Sequence, residues 1–502
     1  MYDMEILKDY LSATQGQELN AEMLTFTANI DSVAKKNPEV ARRIVKELID
    51  QRSNLKLIAS ENFCSLSVQS AMGNLLTDKY AEGYPGNRFY AGCENVDDLE
   101  NRAIEEACKL FECEHAFVQP HSGADANLVA FWAILRMKIQ LPMMEKLGQT
   151  NLLALSKEEW DEIRQAMGNQ KMLGMDLFSG GHLTHGYRHN ASAQMFDAYF
   201  YNVSKETGRL DYDELRKQLH EIKPLVFLIG FSAYTRNVDY AVMRELADEV
   251  GAVLMVDMAH FAGLVAGGAM TGTANPIPYA DIVTTTTHKT LRGPRGGMVL
   301  CKKEYAEYVD KACPHIMGGP LPHIMAAKAL AFEEARTPKF KIYANKIVEN
   351  ASHLAAALVE RGITILTGGT DNHMVIINVE SLGLTGRQGE NALRECGMTL
   401  NRNTIPFDKN GPWYTSGLRI GTPAATTIGM GKDEMTEIAD IMANVLKNTQ
   451  PTKTKKGDIS KANYKLDQNV KSDSIKRVRA ILDKFILYPE IDTGFFMKYF
   501  DF

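Results

Sequence analysis

The chain has 502 residues, 45% hydrophobic and 24% charged, with a formal net charge of −6. That length exceeds what one core usually serves and implies two or three folding units. The charge balance speaks against a nucleic-acid or anionic-membrane binder. No apolar run is long enough to span a bilayer, and the seven scattered cysteines without a Cys-x-x-Cys pair argue against a disulfide framework or structural zinc.

The start, Met1 to Leu11, carries Asp3, Glu5, Lys8 and Asp9 among its apolar residues and lacks a signal-peptide core, so a cytoplasmic protein is expected. Asn37-Pro38 reads as a helix N-cap followed by proline in the first helical position. Ala41, Ile44, Val45, Leu48 and Ile49 follow at helical spacing. Residues 1–55 are expected to form an N-terminal extension and arm. Tyr80 to Gly92, rich in Gly, Pro and Tyr, predicts an ordered loop with a binding or tight structural role.

From Ala116 short apolar runs alternate with helical patterns. Ala116 to Val118, Leu225 to Ile229, Val253 to Val256, Ile282-Val283 and Gly297 to Leu300 read as strands, and Ala126 to Leu135 as a helix. Strands alternating with helices predict an α/β large domain over 56–337, with a mostly parallel sheet flanked by helices. The segment from Met137 to Lys171 interrupts the alternation. Ser156-Lys157-Glu158-Glu159 has capping-box form, a helix should run through Met167, and Gly168 is a candidate cap. A small helical insertion on the surface is expected there. Thr337-Pro338 opens a long helix to Gly362, which leads into a smaller α+β C-terminal domain over 338–502, with Met374 to Val379 as one strand. The lysine-rich stretch Pro451 to Gly457 reads as an exposed linker.

Three local signals carry chemistry. His121-Ser122-Gly123-Ala124-Asp125-Ala126-Asn127 joins a strand to a helix, and free N–H groups at a helix N-terminus attract an anion, although a Ser-Gly turn is commonly only a cap. Asp257 follows a buried strand in Val256-Asp257-Met258-Ala259-His260; it suits the ring nitrogen of pyridoxal phosphate, a helix cap or a metal. Lys289 ends the run Thr284 to Thr290 and precedes Gly293-Pro294-Arg295-Gly296-Gly297. A strand-end lysine is ordinarily a solvated charge, but small and hydroxyl-bearing neighbours let a bulky phosphorylated cofactor approach. The order of phosphate loop, carboxylate and lysine points to the aminotransferase-like fold of pyridoxal enzymes.

The chain resembles the serine hydroxymethyltransferases in Leu57 to Asn62 (LIASEN), Lys79 to Gly86 (KYAEGYPG), Gln119 to Gly123 (QPHSG), Gly180 to Gly186 (GGHLTHG), Val256 to His260 (VDMAH), Thr284 to Leu291 (TTTTHKTL), Gly293 to Gly297 (GPRGG), Gly368 to His373 (GGTDNH) and Thr415 to Pro423 (TSGLRIGTP). The resemblance implies a seven-stranded-type sheet and a homodimer with shared active sites. It also implies reversible conversion of serine and tetrahydrofolate to glycine and 5,10-methylenetetrahydrofolate, through a pyridoxal 5′-phosphate external aldimine. No metal is implied.

Carried over by position, Lys289 holds the cofactor, Asp257 pairs with its ring nitrogen and His182 stacks on the ring. Ser122 and Gly123 cradle the phosphate. Ser232, His260, Thr286 and His288 lie against the cofactor, with Gly319 joining from the neighbouring subunit. Ser60 and Arg419 bind the amino acid, with Tyr80, Glu82 and Tyr90 entering from the neighbour, Glu82 as the proton-transfer group. Leu177, Gly181, Leu183 and Asn403 match positions that receive the folate. Three positions depart from the family pattern: Ala124 stands where a hydroxyl residue is frequent, and His315 and Met317 where a glycine and a glutamine are usual. A pyridoxal aldolase of β-hydroxy amino acids would keep Lys289, Asp257 and Arg419 without needing the folate positions or Glu82. A non-catalytic binding protein on the same fold would need none of them.

Overall fold

The computed structural model describes residues 4–502; the first three residues of the charged N-terminal segment lie outside it. Seven strands form the central sheet: β1 (His115–Phe117), β2 (Lys171–Met175), β3 (Asp197–Tyr201), β4 (Val226–Gly230), β5 (Val253–Asp257), β6 (Ile282–Thr286) and β7 (Gly297–Cys301). Their spatial order is β1-β7-β6-β5-β4-β2-β3. β7 runs antiparallel to both its neighbours, β1 and β6, while β2 to β6 pair with one another in parallel. β4 to β7 are buried along their whole length, which explains why they read as continuous apolar or Thr-rich runs instead of alternating ones. Helices cover both faces, with separate apolar clusters on the two sides of the sheet. The expected fold class is borne out.

The helix α1 (Gly123–Leu135) begins at Ser122, whose hydroxyl accepts from Asp125 N. It continues through a π-helical turn, Arg136–Gln140, into Leu141–Lys146. The expected insertion therefore starts as an extension of this helix. Met144, Ile163 and Met167 bury themselves in the same cluster as Phe131 and Met255, so the segment packs onto the sheet layer. Its capping box at Ser156 and Glu159 forms, but Asn169, not Gly168, is the C-cap.

Two further helices matter below: α2 (Pro322–Ala335) and α3 (Pro338–Glu360), the latter capped by the Thr337 hydroxyl. Beyond α3 a four-stranded antiparallel sheet forms from Thr364–Ile365, Met374–Asn378, Asn401–Asn403 and Gly417–Gly421. The stretch 451–457 departs from the expected linker. Thr449–Lys453 pairs antiparallel with Ile459–Leu466, and Thr454 N donates to Asp458 O to close the turn. Residues 459–466 alternate in burial along much of their length, a period-two pattern hidden by their polarity. The N-terminal helices and the C-terminal tail share one apolar cluster, in which Ile6, Ile30 and Phe496 are fully buried. Among the described residues no helix is long and apolar enough to cross a membrane.

Candidate active site

The carboxyl ends of β5 and β6 and the start of α1 enclose a cavity of about 440 Å³. Ligands of open α/β sheets bind at this edge. Ten predicted residues line it together: Ser60, Ser122, Gly123, His182, Ser232, Asp257, His260, Thr286, His288 and Lys289. They come from six separated segments of the sequence.

Asp257 ends β5 and is buried. Its Oδ1 accepts from Ala259 N at 3.0 Å; its Oδ2 accepts from Asn127 Nδ2 at 2.9 Å and lies 3.2 Å from His185 Nε2. Burial alone would raise the carboxyl pKa, but the His185 hydrogen bond, with His182 and Asn127, outweighs it and holds the group well below the usual carboxylate range. It is therefore an anion at neutral pH. Gly230, at the end of β4, makes this possible: a Cβ there would lie 2.8 Å from Asp257 Cβ and 3.1 Å from His185 Cε1.

The sequence assigns His185 and Asn127 no role, although His185 stands inside the GGHLTHG block and Asn127 closes the His121–Asn127 segment. Asn127 sits one turn into α1, where its Oδ1 accepts from Thr284 Oγ1 at 2.5 Å and its amide also reaches Thr184 Oγ1 at 2.8 Å. Nothing local marks these partners, because their roles arise from contacts 72 to 130 residues distant in sequence.

His182 Nδ1 lies 2.7 Å from Thr184 Oγ1, and burial pushes the imidazole pKa down to about 4, so it is neutral. Lys289 follows β6, and Asn62 Nδ2 donates to its carbonyl at 2.8 Å. Burial pushes its amine down to about 8, against the attraction of Asp257. An amine so placed is partly free base at neutral pH and nucleophilic. His288 is lowered to about 3, chiefly by burial, and Gly296 N donates to its Nδ1. His260 is held well below its usual range, again chiefly by burial, and faces His373 Nε2 at 3.3 Å. Thr286 Oγ1 is committed to Ala259 O. Ala124 lines the cavity and presents no hydroxyl.

Arg419 lies on Gly417–Gly421 beside the cavity. Its Nη1 donates to Ser232 O and its Nε to Asn401 Oδ1, while burial lowers the guanidinium pKa to about 10.

The other predicted residues do not line this cavity. Tyr80, Glu82 and Tyr90 flank a small hairpin, Gly83–Tyr84 with Asn87–Arg88, and the rings of Tyr80 and Tyr90 meet edge to face at 5.0 Å. Gly319 lies against Tyr80: a Cβ there would be 3.4 Å from its ring. These four thus form a group apart, with Tyr80 and Tyr90 exposed. Leu177 and Gly181 flank the turn after β2, with Leu183 exposed beyond it. Gly181 is needed for that turn, since a Cβ would lie 2.1 Å from Met175 O. Asn403 pairs with Gly417 in the small sheet, and its amide donates to Thr404 O. His315 Nδ1 lies 3.1 Å from Arg136 Nη1, and Met317 is buried.

Residues 33–151 and 163–442 match the family described as serine hydroxymethyltransferase. The unmatched stretch between them covers only the centre of the helical insertion. The serine hydroxymethyltransferase of Treponema pallidum is 56% identical over 98% of this chain and 86% of its own length. That of Salinispora tropica is 52% identical over 95% of this chain and 99% of its own. That of Chlamydia trachomatis serovar D is 51% identical over 97% and 98%.

Proposed function

The chain belongs to the serine hydroxymethyltransferase family, and on that premise we propose how its residues divide the transfer of a one-carbon unit between serine and tetrahydrofolate. The enzyme converts serine and tetrahydrofolate reversibly to glycine and 5,10-methylenetetrahydrofolate. The observation that carries the assignment is the convergence of an ionised buried carboxylate, a lysine amine lowered to about 8 and a helix N-terminus on one cavity.

These residues fit pyridoxal 5′-phosphate. The first N–H groups of α1 suit a phosphate, Asp257 suits a protonated ring nitrogen and Lys289 suits an aldehyde carbon. A Cβ at Gly123 would approach Thr286 Cγ2 to 2.8 Å, so the turn must stay bare on that side. When bound, the cofactor supplies the electron sink that lets bonds at the amino-acid Cα break and re-form.

Ser122 and Gly123 hold the phosphate, with Thr286 and His288 at the same end. Asp257, fixed by Asn127 and His185, would keep a proton on the ring nitrogen. His182, a neutral imidazole, would lie against the ring. Ser232 and His260 complete the walls. Lys289 would hold the cofactor through its amine, and that amine would stand free in the cavity when an amino acid takes its place. Arg419 and Ser60 orient the substrate carboxylate; Arg419 still has N–H donors beyond the two it has committed.

Tyr80, Glu82, Tyr90 and Gly319 act in the site of a second subunit, so the working unit is a homodimer. There Glu82 moves a proton at the serine hydroxymethyl group and the folate. Leu177, Gly181, Leu183 and Asn403 receive the folate. The chain divides into an arm at 1–55, a cofactor domain at 56–337 and a smaller domain at 338–502, and it works in the cytoplasm.

The test is serine–glycine interconversion with and without tetrahydrofolate. Folate-dependent conversion of serine to glycine, and folate-dependent exchange of the glycine α-proton, are expected. Cleavage of β-hydroxy amino acids with no response to folate would assign the site to an aldolase instead.

A further inference from the structure

Lys328, on α2, is 1% exposed. Its Nζ donates to Val118 O at 2.5 Å, Pro120 O at 3.1 Å and Gly297 O at 2.8 Å. An ammonium has three N–H bonds, so every donor is used, and each acceptor is a backbone carbonyl. Val118 and Pro120 lead out of β1 into the Ser122–Gly123 turn, and Gly297 begins β7.

These two segments are already in close contact. Gly297 N donates to Pro120 O at 2.8 Å, and a Cβ on Gly297 would lie 2.1 Å from Ser122 O. A Cβ on Gly296 would lie 2.7 Å from Lys328 Cε. Gly296 therefore leaves room for the lysine end, and Gly297 lets β7 close on the Ser122–Gly123 turn that lines the cavity.

Among the described residues no carboxylate pairs with the ammonium. Glu100, from the helix Glu94–Phe111, and Asp125, from α1, attract it at longer range, and His288 beyond β6 feels its charge as repulsion. Glu100 is itself tied to Arg88 and Gln119. Burial accordingly pushes the Lys328 amine down to about 7. A buried ammonium held only by neutral carbonyls is a costly way to fill space, and a methionine there would in turn take the donor from the carbonyls of Val118 and Gly297. An anion held at the start of α1 would offset that cost, since binding of the anion and retention of the proton favour each other.

We infer that Lys328 is a positioning residue for the phosphate end of the cofactor site: its ammonium ties down the carbonyls beneath the Ser122–Gly123 turn and sets a buried positive charge beside it. The inference rests on the cofactor reading above. It assigns Lys328 no contact with substrate and no proton transfer.

The test titrates apoprotein calorimetrically with pyridoxine 5′-phosphate and with pyridoxine, neither of which can condense with Lys289. Wild type should prefer the phosphorylated ligand. Lys328→Met should weaken that ligand about tenfold while leaving pyridoxine within about twofold. Lys328→Gln keeps two N–H donors without the charge; it should also lose affinity for the phosphorylated ligand only, and it carries the test alone if the methionine variant does not fold. Equal weakening of both ligands would mean a general loosening of the fold, and unchanged binding would mean no role; either overturns the inference. A wild type that binds neither ligand would instead overturn the cofactor reading.

Discussion

Around Asp257 the chain answers its own polar groups: Asn127, His185 and Ala259 N take the carboxylate, Thr284 takes Asn127, and Asp257, His260 and Thr286 are buried. Around Tyr80 and Tyr90 the arrangement is reversed. Tyr80, Phe89 and Tyr90 are 57%, 67% and 48% exposed, yet the hairpin that carries them is anchored from below. Arg88, nearly buried, bonds Asp97, Glu100 and the carbonyls of Ala81 and Gly83, and Gln119 bridges Glu100 to Gly83. The base thus buries an ion pair while the aromatic tip stays exposed. The first region pairs its carboxylate within the chain, whereas the second leaves its aromatic tip uncovered.

The strongest way to break this comparison is to disable each region separately. Lys289→Ala should lower serine conversion about a thousandfold or more, through loss of the nucleophilic amine. Glu82→Gln should lower it about a hundredfold while leaving cofactor and glycine binding intact. Mixing the two variants under conditions that exchange subunits should restore activity, because one site then pairs an intact Lys289 with a neighbour's intact Glu82. Failure to complement would put Glu82 to work in its own chain and end the division drawn here.

A second prediction concerns the hairpin base. Arg88→Met leaves Glu100 buried without its cation, and should cost about 3–5 kcal/mol in urea unfolding. Turnover should fall with it, since Glu82 lies between the carbonyls of Ala81 and Gly83 that Arg88 holds. A loss below about 1 kcal/mol would show that the base needs no such anchor.

The smallest effect is expected at Ala124, inside the first region. Ala124→Ser adds a hydroxyl to the wall beside Ser122 and Gly123, and should tighten pyridoxal phosphate about tenfold at most. The reaction catalysed should not change. Equal dissociation constants in a titration read by the visible band would mean that the free N–H groups of α1 already saturate the phosphate.

The legibility of the two regions in the sequence differs for physical reasons. β4 and β5 were visible as continuous apolar runs because both faces of the sheet are covered. Asp257 is legible because it closes such a strand, Lys289 because it follows the Thr-rich end of β6, and Ser122 because it caps a helix. Asn127, His185 and Lys328 are not. A polar residue within a helix pattern carries no sign of whether it meets solvent or a carboxylate from another strand, and Lys328 sits in an apolar run that a reader assigns simply to core. The hairpin at 449–466 was missed because its alternation is between polar residues, so hydrophobicity does not report it. The exposed tyrosines could be placed in a loop from composition, but their purpose came only from the family resemblance.

The central claim is that Lys289 carries the cofactor in a cavity that lowers its amine to about 8 from the ordinary 10.5. Below that value the amine is protonated and cannot attack an aldehyde; above it the free base dominates. The direct measurement is borohydride reduction of the protein with pyridoxal phosphate across a pH series, followed by peptide mapping. The account expects the pyridoxyl label on Lys289, with the initial rate of attachment to apoprotein rising through a midpoint near pH 8. A label on another lysine, Lys328 included, would contradict it.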